Sequence, residues 1–383
     1  MRRLLTLNVL DAFITGAYTL VIPLLLVERG IDVATIGVVF SIYPLAILSS
    51  RLLFASAADA TGLGRFFNMN AAGNVASVAL YAVSSSPLLY ALAKGVQGLK
   101  EASLWAVNRN ATYEIAQSKN PYVVATVDLV RALAIALGAL ASGFVLFLLG
   151  FKAVFIVLAV LSALIFVPAR RLNLGLRGRL VPSQLFKRLD PRLVDREVWR
   201  TSLVLSCHEV GYALVFGFIL PIFLWSRGLG YWEIGMVIAM YSGVGAFLLP
   251  LTLHRTPSTK NIILAQSLLY IPAAVLVPIS ESWFLIMMIA IMAFGDYASY
   301  ITWEQLVSHS VMGYENVATT IGLLLTPAHL TMIVAYAIAG LLVDTFGYVA
   351  PFWMAGTFFL VYSLGAWSIL KNRKATADSP QPC

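Results

Sequence analysis

Long apolar runs that carry no charge dominate this chain, and they decide what it can fold into. Ile262 to Ile279 and Tyr348 to Leu370 are two of them. A helix needs roughly 20 apolar residues to cross a hydrocarbon core of ~30 Å. With no water there to bond the backbone, only helices or a closed barrel can span it. Short alternating strands are absent from the pattern, which leaves helices. Of the 383 residues, 60% are hydrophobic and 11% charged; a soluble domain carries about 25% charged residues. The fold class is therefore an all-α membrane protein.

Twelve apolar segments are expected, over 4–27, 35–57, 68–84, 87–107, 122–148, 152–168, 200–225, 233–253, 261–279, 283–305, 317–343 and 349–370. Met1-Arg2-Arg3 resembles the start of a secretory leader, but the apolar stretch behind it runs on to about Val27. That is too long for a leader's core, so it reads as a retained first span. The net charge of +8 sorts by position, not by partner. Nineteen of the 26 lysines and arginines fall on the side of the termini, three opposite, and four inside spans. The positive-inside rule then places both termini in the cytoplasm and the chain in the cell membrane as a multi-pass protein. No nucleic-acid partner is implied by that charge. Two cysteines, Cys207 and Cys383, supply no disulfide framework.

The polar, basic stretch 169–199, with Pro182 and Pro191, divides the spans six and six. It reads as a cytoplasmic linker against acidic headgroups. The expected organisation is a first half over 1–168, this linker, a second half over 200–370 and a cytoplasmic tail over 371–383. A repeat relates the halves. Residues 23–39 read PLLLVERGIDVATIGVV and residues 221–237 read PIFLWSRGLGYWEIGMV, with seven positions coinciding at an offset of 198. The same offset pairs Asp11 with Glu209, Trp105 with Trp303 and Arg131 with His329. Duplicated membrane halves are a transporter architecture.

At this point a family resemblance emerges. Lys94-Gly95-Val96-Gln97-Gly98 is similar to the Arg-x-x-Gln-Gly motif of the fourth helix in the major facilitator superfamily, with Lys for Arg. Asp59, Gly62 and Arg65 resemble that family's loop between helices two and three. Ala55 stands there for the usual Gly and Ala60 for the usual Arg, and Arg65 sits two places late. The proline of the fifth-helix antiporter motif is missing between Gly138 and Gly143. The resemblance implies twelve transmembrane helices in two pseudo-symmetric halves, with spans one, four, seven and ten around a central cavity.

Ionisable groups within spans are expensive, so each needs a partner or a wet cavity. Spans one, four, seven and ten each carry an acid: Asp11, Glu101, Glu209 and Asp296. Counted at 1.5 Å per residue, Asp11 and Glu209 lie roughly 10 and 13 Å from the cytoplasmic edge, and all four acids converge on one level. Helical spacing adds Tyr18 to Asp11, and Lys94, Gln97 and Trp105 to Glu101; it places Tyr300 and Trp303 beside Asp296. These ten are the expected substrate-binding residues; the alternative for each is interhelical structure without cargo contact. Asp128 and Arg131, spaced i, i+3, are expected to pair. Lys100 is expected to point away from the Glu101 face. Proton coupling or gating is expected from Asp11, Glu209, Asp128, Arg131 and His329, with Asp59 and Arg65.

These features predict a secondary transporter of a small organic solute, working by alternating access, with H+ as coupling ion, as a monomer in the bilayer. Gly138, Ser142 and Gly143 read as close helix contacts. No nucleotide loop, no HExxH and no nucleophile–base pair appears, so no cofactor, no ATP-driven step and no enzyme activity is expected. A second reading is a sugar or organic-anion transporter. A third is a divalent-metal exporter resembling ferroportins, with Asp11, Cys207, His208 and His329 as ligands.

Overall fold

The computed structural model describes residues 1–119, 123–172, 194–254, 259–311, 314 and 317–377. Among the described residues every expected segment is helical and no strand is present. Eight helical stretches of the described residues are long and apolar enough to cross a membrane, including Arg2–Glu28 and Val349–Lys371. We label the helices α1 (Arg2–Glu28), α2 (Val33–Thr61), α3 (Gly64–Val83), α4 (Pro87–Lys119), α5 (Val123–Leu164), α6 (Phe166–Ala169), α7 (Arg196–Val215), α8 (Ile219–Ser226), α9 (Tyr231–His254), α10 (Thr259–Leu276), α11 (Ser282–Val311), α12 (Val317–Phe346) and α13 (Val349–Ala377).

Three departures from the expected segments stand out. The fourth helix does not stop near residue 107 but continues to Lys119, because neither Gly nor Pro interrupts it before Pro121. α5 joins the fifth and sixth segments across Gly150, whose φ of 74° lies in the left-handed region that glycine enters without steric cost. The seventh segment is not continuous. It breaks at Phe216 to Phe218 into α7 and α8. A Cβ on Gly217 would sit 1.9 Å from Cε1 of Tyr336, so the aromatic ring occupies the space that a side chain would need. Most of the linker and the end of the tail (173–193 and 378–383, including Cys383) lie outside the described residues.

The repeat is also structural. After α1, the amide of Gly30 bonds Val27 O and that of Ile31 bonds Leu26 O; after α8, Gly228 bonds Trp225 O and Leu229 bonds Leu224 O. Gly30 and Gly228 have φ of 72° and 82°. Both helices therefore end on the same glycine-terminated turn. Asp32 then caps α2 by accepting from the amide and hydroxyl of Thr35, which holds its carboxyl below the usual range. The α9 start is closed by Glu233, which accepts from Gly230 N.

In the first half α1 packs on α5, and α4 on α2 and α3; in the second, α7 packs on α12 and α13, and α10 on α11. The halves meet where α2 lies against α12 and α5 against α9. Small residues allow that approach. Gly143 and Gly235 face each other, and Gly37 and Gly340 lie against the backbones of α12 and α2. As expected, Gly138 and Gly143 are close-contact positions, Gly138 against Phe13 of α1.

Candidate functional site

The four acids within the spans do not form one layer of equivalent groups. They divide into two clusters, one in each half.

The first cluster is built on α1, α3, α4 and the start of α5. Asp11 is fully buried, and its Oδ1 accepts from Lys100 Nζ at 2.9 Å and from Asn70 and Asn74 Nδ2, each at 3.1 Å. Lys100 Nζ also lies 3.1 Å from Glu101 Oε2. Arg131 Nη1 is 3.6 Å from Asp11 Oδ2, and Nη2 is 3.9 Å from Glu101 Oε1. Amides extend the set: Arg131 donates to Asn8 Oδ1 at 2.9 Å, and Asn8 donates to Asn108 Oδ1 at 2.8 Å. Trp105 Nε1 donates to Glu101 Oε1 at 2.8 Å, and the Arg131 guanidinium lies over the Trp105 ring at 5.5 Å.

One expectation is corrected here. Lys100 is not turned away from the acids; it is the central cation between Asp11 and Glu101. Its long side chain reaches around the helix, and Gly73 of α3 makes room, since a Cβ there would be 2.4 Å from Lys100 Cβ. Arg131 directs its guanidinium to Asn8, Asp11 and Glu101, on two other helices. The residues missed by sequence reasoning are Asn8, Asn70 and Asn74. Asn70, Asn74, Ser77 and Tyr81 recur at helical spacing along α3, and that polar stripe is the signal that would have found them.

Tyr18 lies on this stripe. Its hydroxyl is 3.0 Å from Ser77 Oγ and its ring meets Tyr81 edge-on at 5.3 Å, so it is a buried packing residue between α1 and α3. Tyr81 in turn donates to Gln97 Oε1 at 2.7 Å. One turn along α4, the Lys94 ammonium rests 3.8 Å from the centroid of Phe40, with Tyr43 and Tyr81 at 5.8 and 6.0 Å. Among the described residues no carboxylate pairs with it.

The second cluster is on α7, α9 and α11. Tyr241 donates to Asp296 Oδ2 at 2.7 Å. His208 Nε2 is 2.8 Å from Ser299 Oγ and 3.7 Å from Asp296 Oδ1, while its Nδ1 is 3.9 Å from Glu209 Oε1. The Tyr212, Phe216 and Tyr241 rings line up beside these acids, with centroids 5.7 and 4.0 Å apart. Glu209 and Asp296 keep 23% and 16% of their side chains exposed, against 4% and 0% for Glu101 and Asp11. Among the described residues no lysine or arginine pairs with either second-half acid. Tyr300 and Trp303 stack on each other at 6.0 Å, with Tyr300 partly exposed.

His329 does not repeat the place of Arg131: its Nδ1 is 2.7 Å from Leu325 O on its own helix. Arg65 is exposed in the first turn of α3, and the Asp59 side chain lies outside the described residues. The metal reading is not supported. Asp11 sits in one half against two cations, Cys207 and His208 lie in the other, and among the described residues no three candidate ligands come together. Two fixed positive charges beside a carboxylate oppose a divalent cation.

An all-helical chain with buried ion clusters inside apolar helices is a multi-pass membrane protein. The family model of the Major Facilitator Superfamily matches residues 4–327, and the chain belongs to this superfamily of membrane transporters. Among solved structures it is similar to the nucleoside transporter NupG, here a point mutant, at 13% identity and TM-score 0.75, covering 96% of this chain and 98% of that one. It is also similar to the human organic anion transporter MFSD10 (TETRAN), at 16% identity and TM-score 0.69, covering 95% and 99%. A bacterial homologue of the human drug peptide transporters PepT1 and PepT2 aligns at 13% identity and TM-score 0.72, covering 98% of each chain. At these identities the likeness is one of fold. No curated protein matches by sequence.

Proposed function

We propose that this protein is a secondary active transporter of a small organic solute, working by alternating access and coupled to protons. The observation that carries this reading is the pair of buried polar clusters, one per half, on α1 and α4 and on α7 and α11. Buried charge at these positions is costly in a membrane protein and marks a solute or ion path. The halves are taken as residues 1–168 and 200–370, with 169–199 as a cytoplasmic linker and 371–383 as a cytoplasmic tail. Twelve spans, cytoplasmic termini, the cell membrane and a monomeric state complete the proposal. Lys94, Gln97, Glu101, Trp105, Glu209, Asp296, Tyr300 and Trp303 are the residues proposed to face cargo, with Asp11 and Tyr18 moved to a structural role behind them.

Lys94 favours an acidic cargo as a second reading, because its ammonium rests on ring faces and has no carboxylate partner among the described residues. The structural relatives include transporters named for nucleosides, organic anions and peptides. Counterflow in proteoliposomes, run across these classes and organic cations, tests the proposal. Exchange of one class, with accumulation driven by an imposed pH gradient, is expected. Exchange without any response to the gradient removes proton coupling, and no exchange of any class removes the transporter reading.

A further inference from the structure

We infer that the exchangeable proton is held in the second half, on Nδ1 of His208 between the imidazole and Glu209, and that the Asp11 cluster holds none. This rests on the proton-coupled reading above and names its site.

Charge balance separates the clusters. Asp11 and Glu101 are matched by Lys100 and Arg131, so these four groups balance with each of them ionised. Adding a proton to either acid would strand a buried cation, an arrangement that low-dielectric surroundings penalise. Among the described residues, Glu209 and Asp296 have only His208 as a basic group between them. Two carboxylates inside a membrane-spanning bundle need a positive charge, and no fixed one pairs with them among the described residues.

The hydrogen bonds say where that charge enters. The Ser299 hydroxyl has one hydrogen, and it donates this to Asp296 O at 2.5 Å. Toward His208 it can therefore only accept, which puts the proton of neutral His208 on Nε2. Nδ1 then carries a bare lone pair. It is buried without a hydrogen-bond partner, 3.9 Å from a carboxylate oxygen of Glu209. An acceptor facing an acceptor is unfavourable until a proton arrives. A proton taken from water onto Nδ1 gives an imidazolium that donates to Ser299 from one side and faces Glu209 on the other; returning it to water restores the neutral ring.

Among the described residues no lysine or arginine pairs with the two carboxylates beside His208. α13 presents the Tyr362 and Phe359 rings, at 4.9 and 6.1 Å. α9 presents Tyr241, already bonded to Asp296. α12 carries His329, whose Nδ1 is tied to Leu325 O. The carboxylates beside the His208 ring are Glu209, at 3.9 Å, and Asp296, at 3.7 Å.

Imidazole NMR of the full chain, purified with ring-labelled histidine, tests this without any cargo. His208→Gln identifies the signal among the four histidines. Measured from about pH 5 to 8, Nε2 of His208 is expected to stay protonated while Nδ1 gains the proton as pH falls. Glu209→Gln and Asp296→Asn each should displace the midpoint by on the order of one pH unit, and Glu101→Gln should leave it in place. A single protonation state across that range, a neutral ring protonated on Nδ1, or a midpoint that shifts with Glu101 would overturn the inference. If an acid variant does not fold, the tautomer and titration of the parent protein decide. A protein that accumulates cargo on a pH gradient while His208 stays fixed refutes this site alone; titration without transport refutes the transporter reading instead.

Discussion

Replacing Lys100 with methionine removes the charge while keeping most of the side-chain length. Lys100 is sealed from solvent and holds Asp11 at 2.9 Å and Glu101 at 3.1 Å. Without it, two acids share Arg131, whose guanidinium lies no closer than 3.6 Å to either. Breaking a buried ion pair by removing one partner costs about 3–5 kcal/mol. We expect Lys100→Met to lose stability on that scale, and Asp11→Asn to do the same by leaving a cation in excess. The double variant returns the cluster to one acid and one base. It should be at least as stable as either single variant, with a coupling of roughly 3 kcal/mol between the sites. Thermal unfolding of the purified protein in detergent, monitored by tryptophan fluorescence, reads the order of the four proteins. Additive losses, leaving the double variant the least stable, would refute the idea that charge balance organises this cluster.

Three further outcomes are expected. In a background without Cys207 and Cys383, a cysteine at Asp32 or Glu281 should react with an impermeant thiol reagent outside the cell, and one at Arg65 only after permeabilisation; the reverse pattern inverts the proposed orientation. Gly217→Ala should cost about 1–3 kcal/mol by pressing a methyl into the Tyr336 ring, and Tyr336→Leu should recover much of it; equal melting temperatures for Gly217→Ala and the parent would show that the helix break tolerates a side chain. Lys94→Ala should weaken cargo binding in the counterflow assay while Lys94→Arg largely preserves it; a large stability loss with unchanged affinity would assign Lys94 to packing.

Periodicity and charge were the legible part of this structure. The apolar runs marked the helices, and the repeat at offset 198 marked two turns whose hydrogen bonds coincide, at Gly30 and Gly228. The acids at Asp11, Glu101, Glu209 and Asp296 stood out because charge inside an apolar run is conspicuous. Their partners did not. Adjacent positions on a helix point about 100° apart, so Lys100 and Glu101 read as facing different neighbours. A lysine stem is long enough to defeat that projection. The amides of Asn70 and Asn74 carry no charge and were passed over, although they complete the shell of Asp11. The break in the seventh segment depends on Tyr336, far along the chain, and a lone glycine gives no local sign of it.

The separation of Asp11 from Lys100 along the chain, 89 residues, has a consequence for how the protein is made. At about 5–20 residues per second, the ribosome delivers Lys100 roughly 4–18 s after Asp11. Arg131 arrives later still. Throughout that interval the first helix carries a carboxylate with no counter-charge, so it is poorly suited to release into lipid by itself. It has to be held where water or protein can solvate the acid until α3 and α4 arrive. Insertion of this half is therefore expected to be cooperative, with the first helix settling in lipid only once the fourth has arrived.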